Sequence, residues 1–458
     1  MNLRYRRATY SIFFLIFFVV TPMLVLYATG YRYNFKKNAL EKTGILFIES
    51  APRGATIIVD GKVRGVTPLR IGRLLPNSYD VTVSQDGFYS WTSKLTVTSN
   101  RTTFAQDIQL FKKTLPILVV SGDVNVFTVS PNREKLVYTT RDNATETLWL
   151  KNLRNNSDFT ITDFNHHSYT NLEPIAWSAD NAKLLLRQTV DSFNTYLVIN
   201  TETLEVKNLF DITRLSFDHI KWDEANSNTL YGLRRAVLYK IDLTSSSVQT
   251  VLSANIQDYR VIGDTLYYIE QVAHESFLNR STMTSSSDIS EPEKIKLPGS
   301  LLLQLAPAPS GIITLLDMES TDLFMLNDDV FNDADVDSHV ILQDKAKKMH
   351  WSDNEQSLLF YTDFELATFD RKTNQKNLIT RYGEAITQAE WLKQPTYIMY
   401  VVGTVVNVTE AGAREPRNVV QLASFNEIKN VALTYNEKTL YVAGSIGAQR
   451  GIFSLELQ

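Results

Sequence analysis

The chain has 458 residues, 44% of them apolar, which is enough for two or three domains with cores of their own. Its net charge of −4 implies no general affinity for nucleic acid, and the lack of cysteine excludes disulfide frameworks, thiol catalysis and cysteine-ligated metal sites. The charge is uneven: residues 1–42 carry seven basic residues against Glu41, a net of +6, which leaves −10 on the remainder.

Residues 1–9 form a short basic segment containing Arg4, Arg6 and Arg7, expected in the cytoplasm. Residues 10–28 then run without a charge, long enough to cross a bilayer as a helix, and Tyr10, Tyr27, Tyr31 and Tyr33 flank them where rings favour the interface. Pro22 inside the run is tolerated in such helices. The alternative is a cleaved signal peptide, for which Ala28-Thr29-Gly30 offers a small-x-small site. The run exceeds a usual signal core, so residues 10–30 are read as a retained single-pass anchor with the bulk of the chain extracytoplasmic. Residues 31–42 read as a basic juxtamembrane linker lying near anionic headgroups.

From residue 43 to 111 short β-branched runs alternate with turn residues: "GILFIES", "ATIIVD", "TPLRIG", "YDVTVSQ" and "SKLTVTS". Asp60-Gly61 is a two-residue hairpin signal. Pro52 and Gly54 set a bend, and Gly65 allows a turn before Thr67-Pro68. The pattern Pro52-Arg53-Gly54-Ala55, Val59-Asp60-Gly61, Gly65-x-Thr67-Pro68, Leu74-x-Pro76, Tyr79-Asp80-Val81-Thr82-Val83 and Gly87-Phe88 resembles the PEGA domain family. Arg53 replaces the family's Glu, and Asn77-Ser78 stand where it has Gly before Tyr. The resemblance implies a small β-sandwich exposed in prokaryotic envelope proteins. The family has no agreed catalytic residue, so Pro52, Gly54, Ala55, Asp60, Gly61, Gly65, Thr67, Pro68 and Gly87 are read as turn and motif positions.

Residues 112–458 carry a repeat. Its apolar marker positions are Val129, Trp177, Trp222, Val261, Leu305, Trp351, Trp391 and Leu433, spaced 48, 45, 39, 44, 46, 40 and 42 apart. A strand–turn–strand core at this period predicts the four-stranded blades of a β-propeller. Eight hairpins imply eight blades, or seven if the weak pair around 253–316 is miscounted. "AWSAD" at 176–180 and "HWSD" at 350–353 resemble TolB-like repeats, and the resemblance implies a fold more than a function. The closing run "GIFSLELQ" reads as a third strand. Residues 115–120 are therefore expected to supply the outer strand of the last blade, beside residues 452–457, where Pro116 at a free edge costs little.

No hydrolase, zinc-protease or phosphate-loop motif is present in the sequence. His166-His167 with Asp163 would need a loop to bind a metal, because neighbours on a strand face opposite ways. Asp333, Asp335 and Asp337 have the one-three-five spacing of a calcium loop, with Asp344 at the twelfth place. Ser338 replaces the usual Gly, and a solvated loop competes with calcium for this segment.

The expected fold class is all-β apart from one N-terminal transmembrane helix. The expected function is a non-enzymatic, membrane-anchored envelope protein that binds a protein or glycan ligand outside the membrane, without a cofactor. The alternatives are a propeller hydrolase or lyase acting on envelope glycan or peptide, and a structural surface-layer component.

Overall fold

The computed structural model describes residues 3–458 except 36, 142–144, 166–170, 191–192, 284–288, 298–301, 333–335, 393–394, 413 and 415. The chain divides into two compact units. The first holds residues 1–114, 412–422 and 457–458; the second holds 115–411 and 423–456.

The first unit begins with helix α1, Leu3–Ala28. Within it Thr9–Ala28 has a mean hydropathy of 2.4 and buries nothing, so it is long and apolar enough to cross a membrane. Gly30, at φ +86, turns the chain out of the helix. Residues 31–42, expected as a linker, instead pair as a hairpin of β1, Tyr31–Asn34, and β2, Ala39–Lys42. The alternation of Tyr31, Tyr33, Leu40 and Lys42 on one face gives the reason: period-two patterning is strand patterning even over four residues.

The sandwich has two sheets. One is β6–β3–β9, with β3 Gly44–Ala51, β6 Leu69–Leu74 and β9 Thr102–Gln109. The other is β5–β4–β7–β8, with β4 Thr56–Val59, β5 Lys62–Val66, β7 Asn77–Ser84 and β8 Trp91–Val97. Alternate residues point inward, so Leu46, Ile48, Ile57, Val59, Val81, Val83 and Trp91 make one core. Each fully buried aliphatic side chain there contributes about 1.5–3 kcal/mol.

The motif residues do the expected turning. Asp60 and Gly61 both hold positive φ, +47 and +74, between the paired Val59 and Lys62. Buried Thr67 shares a hydrogen bond with Ser50 Oγ at 2.7 Å and accepts one from the Ala55 amide at 3.2 Å. A small hydroxyl is needed there because two strands and a turn converge on it.

Between residues 117 and 456 eight four-stranded sheets follow one another among the described residues. Their first strands are Phe127–Val129, Asn171–Trp177, His219–Trp222, Ile256–Ile262, Leu303–Ala306, Lys348–Trp351, Ile386–Leu392 and Glu427–Leu433. Each sheet packs its apolar face on the next; one cluster joins Leu185 and Val198 to Ile220 and Trp222, for example. Another joins Phe127 and Tyr138 of the first sheet to Tyr441 and Ile452 of the last. That contact closes the ring of a β-propeller.

The last sheet is completed from the other end of the unit. Strand β10, Ile117–Ser121, lies antiparallel to Gln449–Glu456, with Ile117 opposite Ser454 and Ser121 opposite Gly451. The expected closing strand is thus present, shifted one to two residues toward the C-terminus.

The first turn of the repeat recurs in four sheets. Ser130, Ser178, Ser352 and Thr434 each donate a hydroxyl to Asn132, Asp180, Asn354 and Asn436 respectively, at 2.6–2.9 Å. The next residues, Arg133, Asn181, Glu355 and Glu437, all have φ near +55. The polar pair closes the turn by side-chain bonds that an unaided backbone would leave to water.

Candidate functional site

A side chain one position before each apolar marker lies on the opposite face of its sheet. The charges that result differ around the ring. On the third to fifth sheets they satisfy one another. Lys221 Nζ lies 2.6 Å from Asp258 Oδ1, and Arg260 grips Glu224 at 2.7 Å. Asp258 also accepts from the Leu305 amide at 2.8 Å.

The first, sixth, seventh and eighth sheets enclose a cavity of about 330 Å³. Its wall includes Thr128, Lys348, His350, Gln388, Glu390 and Lys429. Gln388 is fixed, giving an amide to Val431 O at 2.9 Å and receiving the Val431 N–H at 3.0 Å. It also donates to Glu390 Oε1 at 2.8 Å, which sets that carboxylate in the wall. Lys429 is held by Asp123 at 2.7 Å. Among the described residues Lys348 Nζ has no hydrogen-bond or ion-pair partner, and neither has the His350 ring.

His350 is open to water in the cavity yet enclosed by the walls of the ring. That enclosure holds its pKa below the ordinary histidine value; Glu390 opposes the shift, while Lys348 and Arg133 add to it. The imidazole is therefore neutral at neutral pH, with one donor and one acceptor nitrogen. Burial pushes the neighbouring Tyr361 phenol up, keeping it protonated. The wall so presents a free cation, a neutral imidazole and a carboxylate within one small volume. Such a set can hold a polar solute by complementary charge and hydrogen bonds.

Three marker tryptophans each tie their sheet to the one before it. Trp177, Trp222 and Trp391 donate their indole N–H to Thr128 Oγ1, Ala176 O and His350 O, at 3.2, 3.1 and 3.0 Å. In each case the acceptor belongs to the preceding sheet. Trp351 Nε1 is buried without a partner.

The sequence-derived metal candidates fall elsewhere. Asp337 opens a short 3-10 turn, Asp337–His339, and Asp344 lies in strand Val340–Lys345, where Lys376 binds its carboxylate. Asp333, Asp335, His166 and His167 lie outside the described residues. Among the described residues no cluster of three or more metal-ligating side chains occurs. The wall residues of the cavity were not singled out from the sequence, although the alternation that places them was there to be read.

Fold and site define a propeller protein with a polar axial cavity, joined in one chain to a small β-sandwich and an apolar helix. Residues 43–111 match the PEGA domain family. No curated protein sequence matches the chain. Among solved structures, dipeptidyl peptidase 4 from Porphyromonas gingivalis is similar at 11% identity and a TM-score of 0.50, over 75% of this chain and 60% of that one. The Dos1 propeller is similar at 12% identity and 0.47, over 76% and 96%. Oligogalacturonate lyase from Vibrio parahaemolyticus is similar at 11% identity and 0.41, over 75% and 98%. At these identities the likeness concerns the fold alone.

Proposed function

We propose that this is a membrane-anchored envelope protein whose propeller binds a small polar ligand, a glycan fragment or peptide, in its axial cavity outside the membrane. The observation that carries the binding reading is the asymmetry of the ring. Charges on the third to fifth sheets are paired internally, whereas Lys348 and His350 face a 330 Å³ space with no partner among the described residues. Lys348 and His350 are exposed in that space, so an acidic group entering it would pair with the cation without displacing a protein partner. The apolar helix and the match of residues 43–111 to PEGA domains, typical of extracytoplasmic proteins, support the address.

Binding rather than turnover is favoured because, among the described residues, neither an orienting carboxylate nor a hydroxyl nucleophile is bonded to the His350 ring. A lyase or hydrolase reading draws on the same His350–Glu390 neighbourhood, since a neutral imidazole beside a carboxylate can move protons. Titration calorimetry of the detergent-solubilised full chain against acidic oligosaccharides and short peptides tests the proposal. Saturable heat that Lys348→Ala and Glu390→Gln each abolish, and Lys62→Ala on exposed β5 leaves intact, is expected. Heat unaffected by the cavity variants contradicts the site, and product release from the titrant favours the enzyme.

A further inference from the structure

The hairpin β1–β2 has one face of aromatic and aliphatic side chains edged by a lysine. Register places Tyr31 opposite Lys42 and Tyr33 opposite Leu40, so these four side chains share a face, and Phe35 follows at the next outward position. Phe35 is 85% exposed, Leu40 53% and Tyr33 45%. The Tyr33 and Phe35 rings meet edge to face at 5.0 Å, and Lys42 lies over the Tyr31 ring at 5.6 Å. The other face is polar and self-satisfied. Asn34 there is buried and donates to Glu41 at 2.8 Å, and Lys37 binds the other oxygen of Glu41 at 2.9 Å. The one acid of the segment is thereby neutralised, against four basic residues, Arg32, Lys36, Lys37 and Lys42.

Two residues separate α1 from β1, so the hairpin begins within about 10 Å of the helix end. The sandwich is fixed at the same point. Arg73, in a left-handed conformation at φ +60, lies 4.2 Å over the Tyr27 ring and bonds its hydroxyl. Gly30 O accepts the Thr43 N–H at 2.8 Å. The geometry points to an interfacial foot: the Tyr33–Phe35–Leu40 face enters the headgroup boundary of the membrane that α1 crosses, and Lys42 on that face and Arg73 at the helix end meet anionic headgroups. This rests on the anchor reading of α1. Exposed aromatic and aliphatic side chains flanked by cations are the composition that binds at a bilayer surface. The foot would hold the first unit against the bilayer instead of on a free tether.

The natural chain has no cysteine, so single cysteines report cleanly. The full chain is reconstituted in phosphatidylcholine–phosphatidylglycerol vesicles and labelled with bimane at Leu40→Cys, at Ala39→Cys on the opposite face, or at Val19→Cys within α1. Lipids carrying a nitroxide near the headgroup should remove most of the emission at position 40 and little at position 39. Lipids with a deep nitroxide should quench position 19. Adding Phe35→Ser to the position 40 label should weaken its quenching. Quenching at 19 with none at 40 overturns the foot and leaves the anchor standing. Quenching at 40 with none at 19 overturns the anchor reading, and with it a foot set beside a spanning helix. Equal quenching at 39 and 40 overturns the oriented face.

Discussion

The indole N–H of Trp391 donates to the backbone carbonyl of His350 at 3.0 Å, from the seventh sheet to the sixth. Trp351 occupies the same place one sheet earlier, and its N–H finds no acceptor. Trp391→Phe should therefore cost about 1 kcal/mol for the lost bond, on top of any packing loss. Trp351→Phe removes no bond and should cost less. Chemical denaturation of the two variants checks this, and equal losses would show that the bond contributes nothing.

The Asp60-Gly61 turn needs positive φ at both residues, and nothing lies within 4 Å of where a Gly61 Cβ would sit. Gly61→Val should lower stability by about 1 kcal/mol or more through backbone strain alone. Gly61→Asn should be far milder, since Asn tolerates this region. The sandwich has its own core, so both effects should appear in the fragment 43–111, read from its melting midpoint.

Gly451 lies where β10 closes the ring. A Cβ there would come 1.8 Å from Val120 O, so Gly451→Ala cannot keep the pairing unchanged. The substitution should lower the melting temperature and promote aggregation, because it opens a strand edge on each partner. Starting the chain at Ser121 should do the same relative to a start at Phe111. If light scattering and melting are unaltered in both, ring closure does not depend on this strand.

His350 makes stability depend on pH in a defined sense. Its folded pKa lies below the ordinary 6.5, so above that pH neither state carries the proton. As the pH falls below 6.5 the unfolded chain takes up a proton that the native ring still resists, and native stability drops. His350→Gln should remove that part of the acid loss. From pH 8 to pH 5 the melting temperature of the natural chain should fall further than that of the variant, and equal falls would show that His350 plays no part.

Much of the architecture is legible in the chain because turns and apolar markers are local signals. Asp60-Gly61 names its turn without help from the rest of the protein, and Trp177, Trp222, Trp351 and Trp391 mark strands by spacing. The closing strand follows from counting strands. The hairpin at 31–42 was masked by its charge, since Lys36, Lys37 and Lys42 suggest a solvated linker while Tyr31, Tyr33 and Leu40 alternate across only four residues. The cavity is legible in part: Glu390 and His350 each stand one place before a marker tryptophan and so lie on the opposite face of their sheets, where both line the cavity. That Lys221 is paired and Lys348 is not depends on contacts between sheets tens of residues apart, which no local pattern encodes.

The account rests first on where the propeller lies. Thr244 is exposed in a turn of the third sheet, and a cysteine placed there would be the chain's only thiol. Treating intact cells with a membrane-impermeant maleimide should label Thr244→Cys in full, with no gain on lysis. Labelling that appears only after lysis would place the propeller inside the cell and contradict the proposed function.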